Sequence, residues 1–175
     1  MSSTWLSIGV DLVGGRGEDF WPRPGRIFAA ARSHTFEQLA VAIDDAFARW
    51  DRSHLHEFCL TDGRRVGDPH VADDDDGEVL DASRLTLGRL GLGEQFAYEF
   101  DFGDRWLHLC TVAPHRIDPT EELGIVPDVP CPFWGWGTIP DQYGRGWDSD
   151  DGETVVPPDP ERSDLPRNEP WLSLR

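Results

Sequence analysis

Residues 95–112 alternate apolar and polar side chains around a Gly-Asp pair, and no other stretch restricts the possible folds so tightly. A period of two marks a strand with one wet and one dry face. Gln95–Phe102 keeps that period strictly, and Arg105–Val112 reads as its partner strand. A two-residue turn at Gly103-Asp104, with Gly first as a type II′ turn prefers, sets the register. Phe102 then faces Arg105, Phe100 faces Leu107 and Tyr98 faces Leu109. On the other side Asp101, Glu99 and Ala97 face Trp106, His108 and Cys110. One face, made of Phe96, Tyr98, Phe100, Leu107 and Leu109, is predicted to be core. The reverse face gathers Glu99, Asp101, Trp106 and His108, where the Glu99 carboxylate would raise the His108 pKa and burial near Trp106 would lower it.

The rest of the chain supplies partners for this hairpin. Trp5–Val13 alternates well enough for a first strand, which Gly14-Gly15-Arg16-Gly17 breaks. Pro22 and Pro24 hold the next stretch extended, and Arg26–Ala30 reads as a second strand. Thr35 and Gln38 form a capping box at the start of a helix over Phe36–Trp50. Its stripe of Phe36, Leu39, Ala40, Ile43, Ala46, Phe47 and Trp50 has helical spacing and is assigned to the core. Glu37, Asp44, Asp45 and Arg49 fall on the wet face. Glu57–Thr61 and Arg64–Val66 flank Asp62-Gly63 as a hairpin with a type I′ turn, and Leu85–Leu92 reads as a short helix.

Eleven of 14 prolines lie at or after Pro114, so the last third reads as mostly irregular. The expected fold is α+β. An antiparallel sheet of two or more hairpins packs on one long helix, with a Pro-rich irregular C-terminal segment. Residues 1–147 form a single domain, and 148–175 form an acidic, Pro-rich tail.

Charge excludes several functions. The chain carries 33 acids against 16 bases, a formal charge of −17, and every base is Arg. That balance opposes nucleic-acid coating and anionic membrane surfaces, both of which need basic patches. The excess is local: Asp68–Asp81 and Asp148–Asp164 hold seven acids each, offset by one Arg. Both read as solvated loops, because neither places Gly and Glu where a calcium loop needs them. No apolar run is long enough to span a membrane, and the start lacks the pattern of a secretion signal. Three widely spaced cysteines, Cys59, Cys110 and Cys131, suit a reducing cytoplasm. Cys59 and Cys110 fall in strands as small hydrophobes, while Cys131 in a Pro-rich loop is the more reactive one.

Chemistry-bearing residues converge on two places. His54 and His56 alternate at a strand start, a usable spacing for two metal ligands. His108, Glu99 and Asp101 share a face of the later hairpin, with Asp104 and Trp106 beside them. Should the two faces coincide, His54, His56 and His108 with one carboxylate, Glu99 or Asp101, could hold zinc or another divalent ion. Otherwise these groups satisfy local hydrogen bonds, and no further cofactor is expected. Asp101-Phe102-Gly103 is not a kinase motif here, since a kinase needs a strand Lys and the chain has none. Phe133, Trp134, Trp136, Tyr143 and Trp147 either cap an open sheet face or line a binding surface.

Five segments together resemble a known family: Phe20-Trp21-Pro22-Arg23, the helix end Phe47-Ala48-Arg49-Trp50, His54-Leu55-His56-Glu57-Phe58, Tyr98–His108 and Cys131–Asp141. They resemble the Ri-plasmid ORF-three-like family, which includes insertion-element passenger proteins labelled TnpR. The resemblance covers residues 5–147 and implies an α+β fold with antiparallel strands and a long helix. It implies no settled activity. The family's final motif commonly runs Pro-Pro-Glu-Asp-Cys-Gly-Gly, whereas this chain has Ile139-Pro140-Asp141-Gln142-Tyr143-Gly144-Arg145, without the second cysteine. The TnpR label suggests recombination, but the chain lacks the Arg-rich serine site and the DNA-binding helices that recombination needs. The expected function is a non-catalytic binding or interaction module. It belongs to plasmid or mobile-element cargo, and its partner is an unspecified protein or small ligand. The competing class is a metal-dependent hydrolase using the His and acid face.

Overall fold

The computed structural model describes residues 5–72 and 77–144. The acidic run Asp73–Asp76, Trp147 and the 148–175 tail lie outside the described residues. Nine strands form one mixed sheet: β1 (Trp5–Gly15), β2 (Glu18–Asp19), β3 (Gly25–Ala31), β4 (His56–Cys59), β5 (Arg65–Gly67), β6 (Val79–Asp81), β7 (Gln95–Phe100), β8 (Trp106–Arg116) and β9 (Cys131–Trp136). The order across the sheet is β6-β5-β4-β7-β8-β1-β3-β9, with β2 paired to the end of β1. Every pairing is antiparallel except β5 with β6.

Two short helices accompany the sheet, α1 (Phe36–Ala46) and α2 (Pro119–Leu123), and Leu87–Arg89 makes a 3₁₀ turn where a short helix was expected. The expectation of a sheet packed on one long helix is therefore overturned. An 11-residue helix is about 16 Å long and spans little more than three strand spacings. It covers part of a sheet that is otherwise the body of the molecule.

The capping box at Thr35 and Gln38 is present as expected. The far end of α1 differs. Ala48 takes a left-handed φ of 57°, its N–H donates to the Asp45 carbonyl, and the Arg49 N–H donates to the Asp44 carbonyl. This is a Schellman closure with Ala where Gly is usual. It stops the helix at Ala46, short of the predicted Trp50. Phe47 stays fully buried, and Arg49 is turned inward instead of onto the wet face.

Both predicted hairpins exist, and both registers are shifted by one residue. The β4–β5 ladder aligns Phe58 with Val66, and Leu60 and Arg64 close a three-residue loop with Gly63 at φ 85°. The β7–β8 ladder ends at Phe100 opposite Trp106, leaving a five-residue loop over residues 101–105. Asp101 makes that loop. Its Oδ1 accepts the N–H groups of Gly103 (2.9 Å) and Asp104 (3.2 Å), and its carbonyl accepts that of Arg105 (2.6 Å). Asp101 and Arg105 both lie at positive φ, 63° and 55°. A one-residue slip moves a whole strand to its other face. Phe96, Tyr98 and Phe100 remain in the core as predicted. On β8, however, Trp106, His108, Cys110 and Val112 point inward, and Leu107 and Leu109 are only partly buried.

The Pro-rich segment after Pro114 is also more ordered than expected. Asp118 caps α2 with Pro119 in its first turn, and β9 adds to the sheet edge beside β3. Pro132 is tolerated there because an edge strand need not donate on both sides. Cys131 accordingly lies in a strand rather than a loop.

The core sits between α1 and one face of the sheet. Leu6, Ile8, Val10 and Leu12 of β1 meet Phe28 of β3, Tyr98 and Phe100 of β7 and the buried side of α1. Trp106 closes one end of this core. Phe20 stacks on its ring at 6.1 Å, and a Cβ built on Gly15 would lie 2.3 Å from a ring carbon. Gly15→Ala is therefore expected to drive its methyl group into the buried Trp106 ring. Its cost in a denaturant titration should be about 1–3 kcal/mol, as for other enlarged core sites. An unchanged midpoint would show that β1 and Trp106 separate easily.

Candidate functional site

Seven residues nominated from the sequence divide among four environments. His54 and Asp101 meet at one end of the sheet, where the loops after α1 and β7 and the segment after β9 converge. His54 Nδ1 stands 3.4 Å from Asp101 Oδ2, and its Nε2 stands 2.7 Å from the Tyr143 hydroxyl. Tyr143 in turn donates to Asp51 Oδ2 at 2.6 Å. The result is a chain running Asp101–His54–Tyr143–Asp51. Asp104 belongs to the same loop through its backbone, its carbonyl accepting the Arg16 N–H at 2.6 Å.

The segment after β9 is fastened to this chain. Gln142 is fully buried, accepts the Asp51 N–H at 3.0 Å and donates to the Asp51 carbonyl at 2.9 Å. Trp50 Nε1 donates to Asp141 Oδ1 at 3.3 Å, and the Trp50 and Tyr143 rings meet edge to face. Hydrogen bonds from Ser53 and Tyr143 hold the Asp51 carboxyl well below the usual carboxylate range. Burial and the bond to Asp51 push the Tyr143 hydroxyl up to about 12, so it stays protonated at neutral pH.

His56 is separate. Its Nε2 lies 3.0 Å from Glu37 Oε2 on α1. Burial disfavours its charged form, but the hydrogen bond and charge of Glu37 outweigh this and raise its pKa. Glu99 is on the outer face of the sheet, opposite Leu107 and paired with Arg105 at 3.1 Å.

His108 and Trp106 belong to a buried group that the sequence did not assemble. The predicted pairing of Glu99 with His108 does not occur, because the register slip puts His108 on the core face. There its Nδ1 bonds the Tyr98 carbonyl at 3.0 Å and its ring meets Phe47 at 5.0 Å. Burial and the nearby Arg49 charge push its pKa down to about 3, the direction that burial gives and not the one a Glu99 partner would give. Tyr98 donates to Asp44 Oδ1 at 2.8 Å. Burial lifts the Asp44 carboxyl to about 7, against the pull of the Tyr98 bond and the His56, Arg52 and Arg49 charges. Arg49 is fully buried with its guanidinium 3.9 Å over the Trp106 ring, a desolvated cation–π contact.

The structure thus brings His54 and Asp101 together, with Asp104 adjoining, and separates them from His56, Glu99 and His108. Among the described residues, no group of three or more His, Cys, Asp or Glu is placed to hold a metal ion. Sequence reasoning missed Asp51 and Gln142, and placed Asp44 and Arg49 on the wet face. Asp44 carried a signal: it follows Ala40 by four residues and so borders the apolar stripe. Among the described residues, no helix is long and apolar enough to cross a membrane.

A large mixed sheet with a short capped helix is a fold found among solved structures. The chain is 20% identical to the protein of unknown function MM3350 from Methanosarcina mazei Go1, whose crystal structure superposes with a TM-score of 0.60 over 79% of this chain and 72% of that one. The chain belongs to the plasmid pRiA4b ORF-3-like protein family, whose signature spans residues 21–129. No curated protein matches it.

Proposed function

We propose that the protein is a non-catalytic binding module of plasmid or mobile-element cargo type, acting in the cytoplasm. Its recognition end is the Asp101–His54–Tyr143–Asp51 chain. One observation carries this reading: the groups that could act as acid, base or nucleophile are committed to one another. Tyr143 keeps its proton and donates it to Asp51, while Asp51 stays ionised and is a poor base. Part of each remains wet, with the Asp51 and His54 side chains 30% and 29% exposed. A pre-arranged, partly exposed set of donors and acceptors suits recognition of a protein or small ligand. The family's description after a plasmid reading frame supports the cargo assignment. Three free thiols support a reducing compartment.

The test sets binding against metal-dependent hydrolysis. Purified protein is assayed by elemental analysis and with chromogenic carboxylic and phosphoric esters, with and without added zinc or manganese. Background rates that His54→Ala leaves unchanged are expected. Stoichiometric metal, or turnover that His54→Ala abolishes, would replace the binding reading with the hydrolase.

A further inference from the structure

A second surface, built from other residues than the loop end, carries its own signature. Glu37, Gln38, Val41, Ala42 and Asp45 of α1 face Val129 and Pro130 across a groove of about 180 Å³. Its walls are nearly all apolar atoms. The volume is that of a site for a benzene-sized group. Val41 and Val129 are 46% and 49% exposed, and Ile125 and Val126 in the same connecting segment are exposed too. Apolar side chains gathered in this way mark an interaction site more often than scattered ones do.

Two carboxylates flank the slot. Glu37 and Asp45 stand four residues before and four after Val41, about 12 Å apart along the helix axis. Their side chains are 41% and 49% exposed, although each also meets a cation beside it, His56 and Arg52 respectively. An apolar slot between two half-exposed carboxylates at helical spacing is matched by an equally spaced helix of opposite charge. We infer that this groove docks a basic amphipathic helix of another protein, with one aliphatic side chain between Val41 and Val129 and Arg or Lys residues on Glu37 and Asp45. A second copy of the chain fits poorly. A two-fold contact would set Glu37 and Asp45 against their own kind in a protein of charge −17.

The probe is a labelled synthetic helix carrying one leucine, with an arginine four residues before it and another four after. A control replaces both arginines with glutamate. Binding to the full chain is followed by fluorescence anisotropy and mapped by amide chemical shifts. Saturable binding is expected to move Glu37, Val41 and Val129, to fall with added salt and to weaken at least tenfold in Val41→Asp. Val41 is half-exposed, so this variant should fold, and Val129→Asp tests the opposite wall. No saturable binding overturns the inference. So does equal binding of the glutamate control, shifts confined to other residues, or a dimer of the free chain that Val41→Asp dissolves. Any of these leaves the loop-end reading standing, because that rests on His54 and its assays.

Discussion

Phe47→Ala should cost about 3–5 kcal/mol in a denaturant titration, near the top of the range for single substitutions. The ring is fully buried, sits at the cap that closes α1 and meets the His108 ring edge to face at 5.0 Å. Its removal opens a void between the helix end and β8. The void borders the His108 ring, whose Nε2 is buried with no hydrogen bond among the described residues. Collapse onto such a group recovers less than collapse onto methyls, so the site should relax poorly. Against a total stability of about 5–15 kcal/mol for an ordinary domain, the loss should lower the midpoint sharply. A cost below about 1 kcal/mol would show that Phe47 is not a core residue.

Elements were legible in the sequence where one local rule governs them. Thr35 and Gln38 announced the start of α1 because a capping box is two side chains at fixed spacing. The end was hidden because Ala48, not Gly, takes the left-handed position, and Ala carries no such signal. β7 and β8 were visible as alternating strings, yet their register depended on how Asp101 folds its loop. Three hydrogen bonds to one aspartate favour five residues over two, and nothing in the alternation reports them. That slip explains most of the misplaced site: it removed His108 and Trp106 from the polar face and left Glu99 with Arg105. β9 was obscured by Pro130 and Pro132, which read as loop but suit an edge. Within the site, His54 and Asp101 were both nominated and do meet. Asp51 and Gln142 were out of reach, because Gln142 binds the Asp51 backbone across 91 residues of chain. Only the completed sheet brings the two together.

Asp44→Asn should change the pH dependence of stability more than stability itself. In the native protein the Asp44 carboxyl titrates at about 7, far above the ordinary value of 3.8. The folded state therefore holds a proton that the unfolded chain has lost, and this favours folding at low pH. The advantage is complete below about 3.8 and is gone once pH rises through 7. It amounts to roughly 4 kcal/mol across that span. His108 works in reverse. Its folded pKa of about 3 lies below the ordinary 6.5, so its contribution is present above 6.5 and lost as pH falls. In the unaltered protein the two slopes largely cancel between about pH 4 and 6.5. Asp51, with a lowered pKa, adds a slope common to both proteins, whereas His56, raised mainly by Glu37 and in smaller part by the Asp44 charge, loses only that smaller part in the variant. The amide that replaces the carboxyl would keep an oxygen to accept the Tyr98 hydroxyl but cannot titrate. The stability of Asp44→Asn minus that of the unaltered protein should therefore rise by about 4 kcal/mol from pH 3.8 to above 7. The variant alone should lose stability steeply as pH falls below 6.5, with His108 no longer opposed. Urea titrations at half-unit pH steps measure both curves. A difference that stays flat, or that falls with pH, would mean that Asp44 ionises in the core at or below its ordinary value, its charge held there by Tyr98 and the nearby cations.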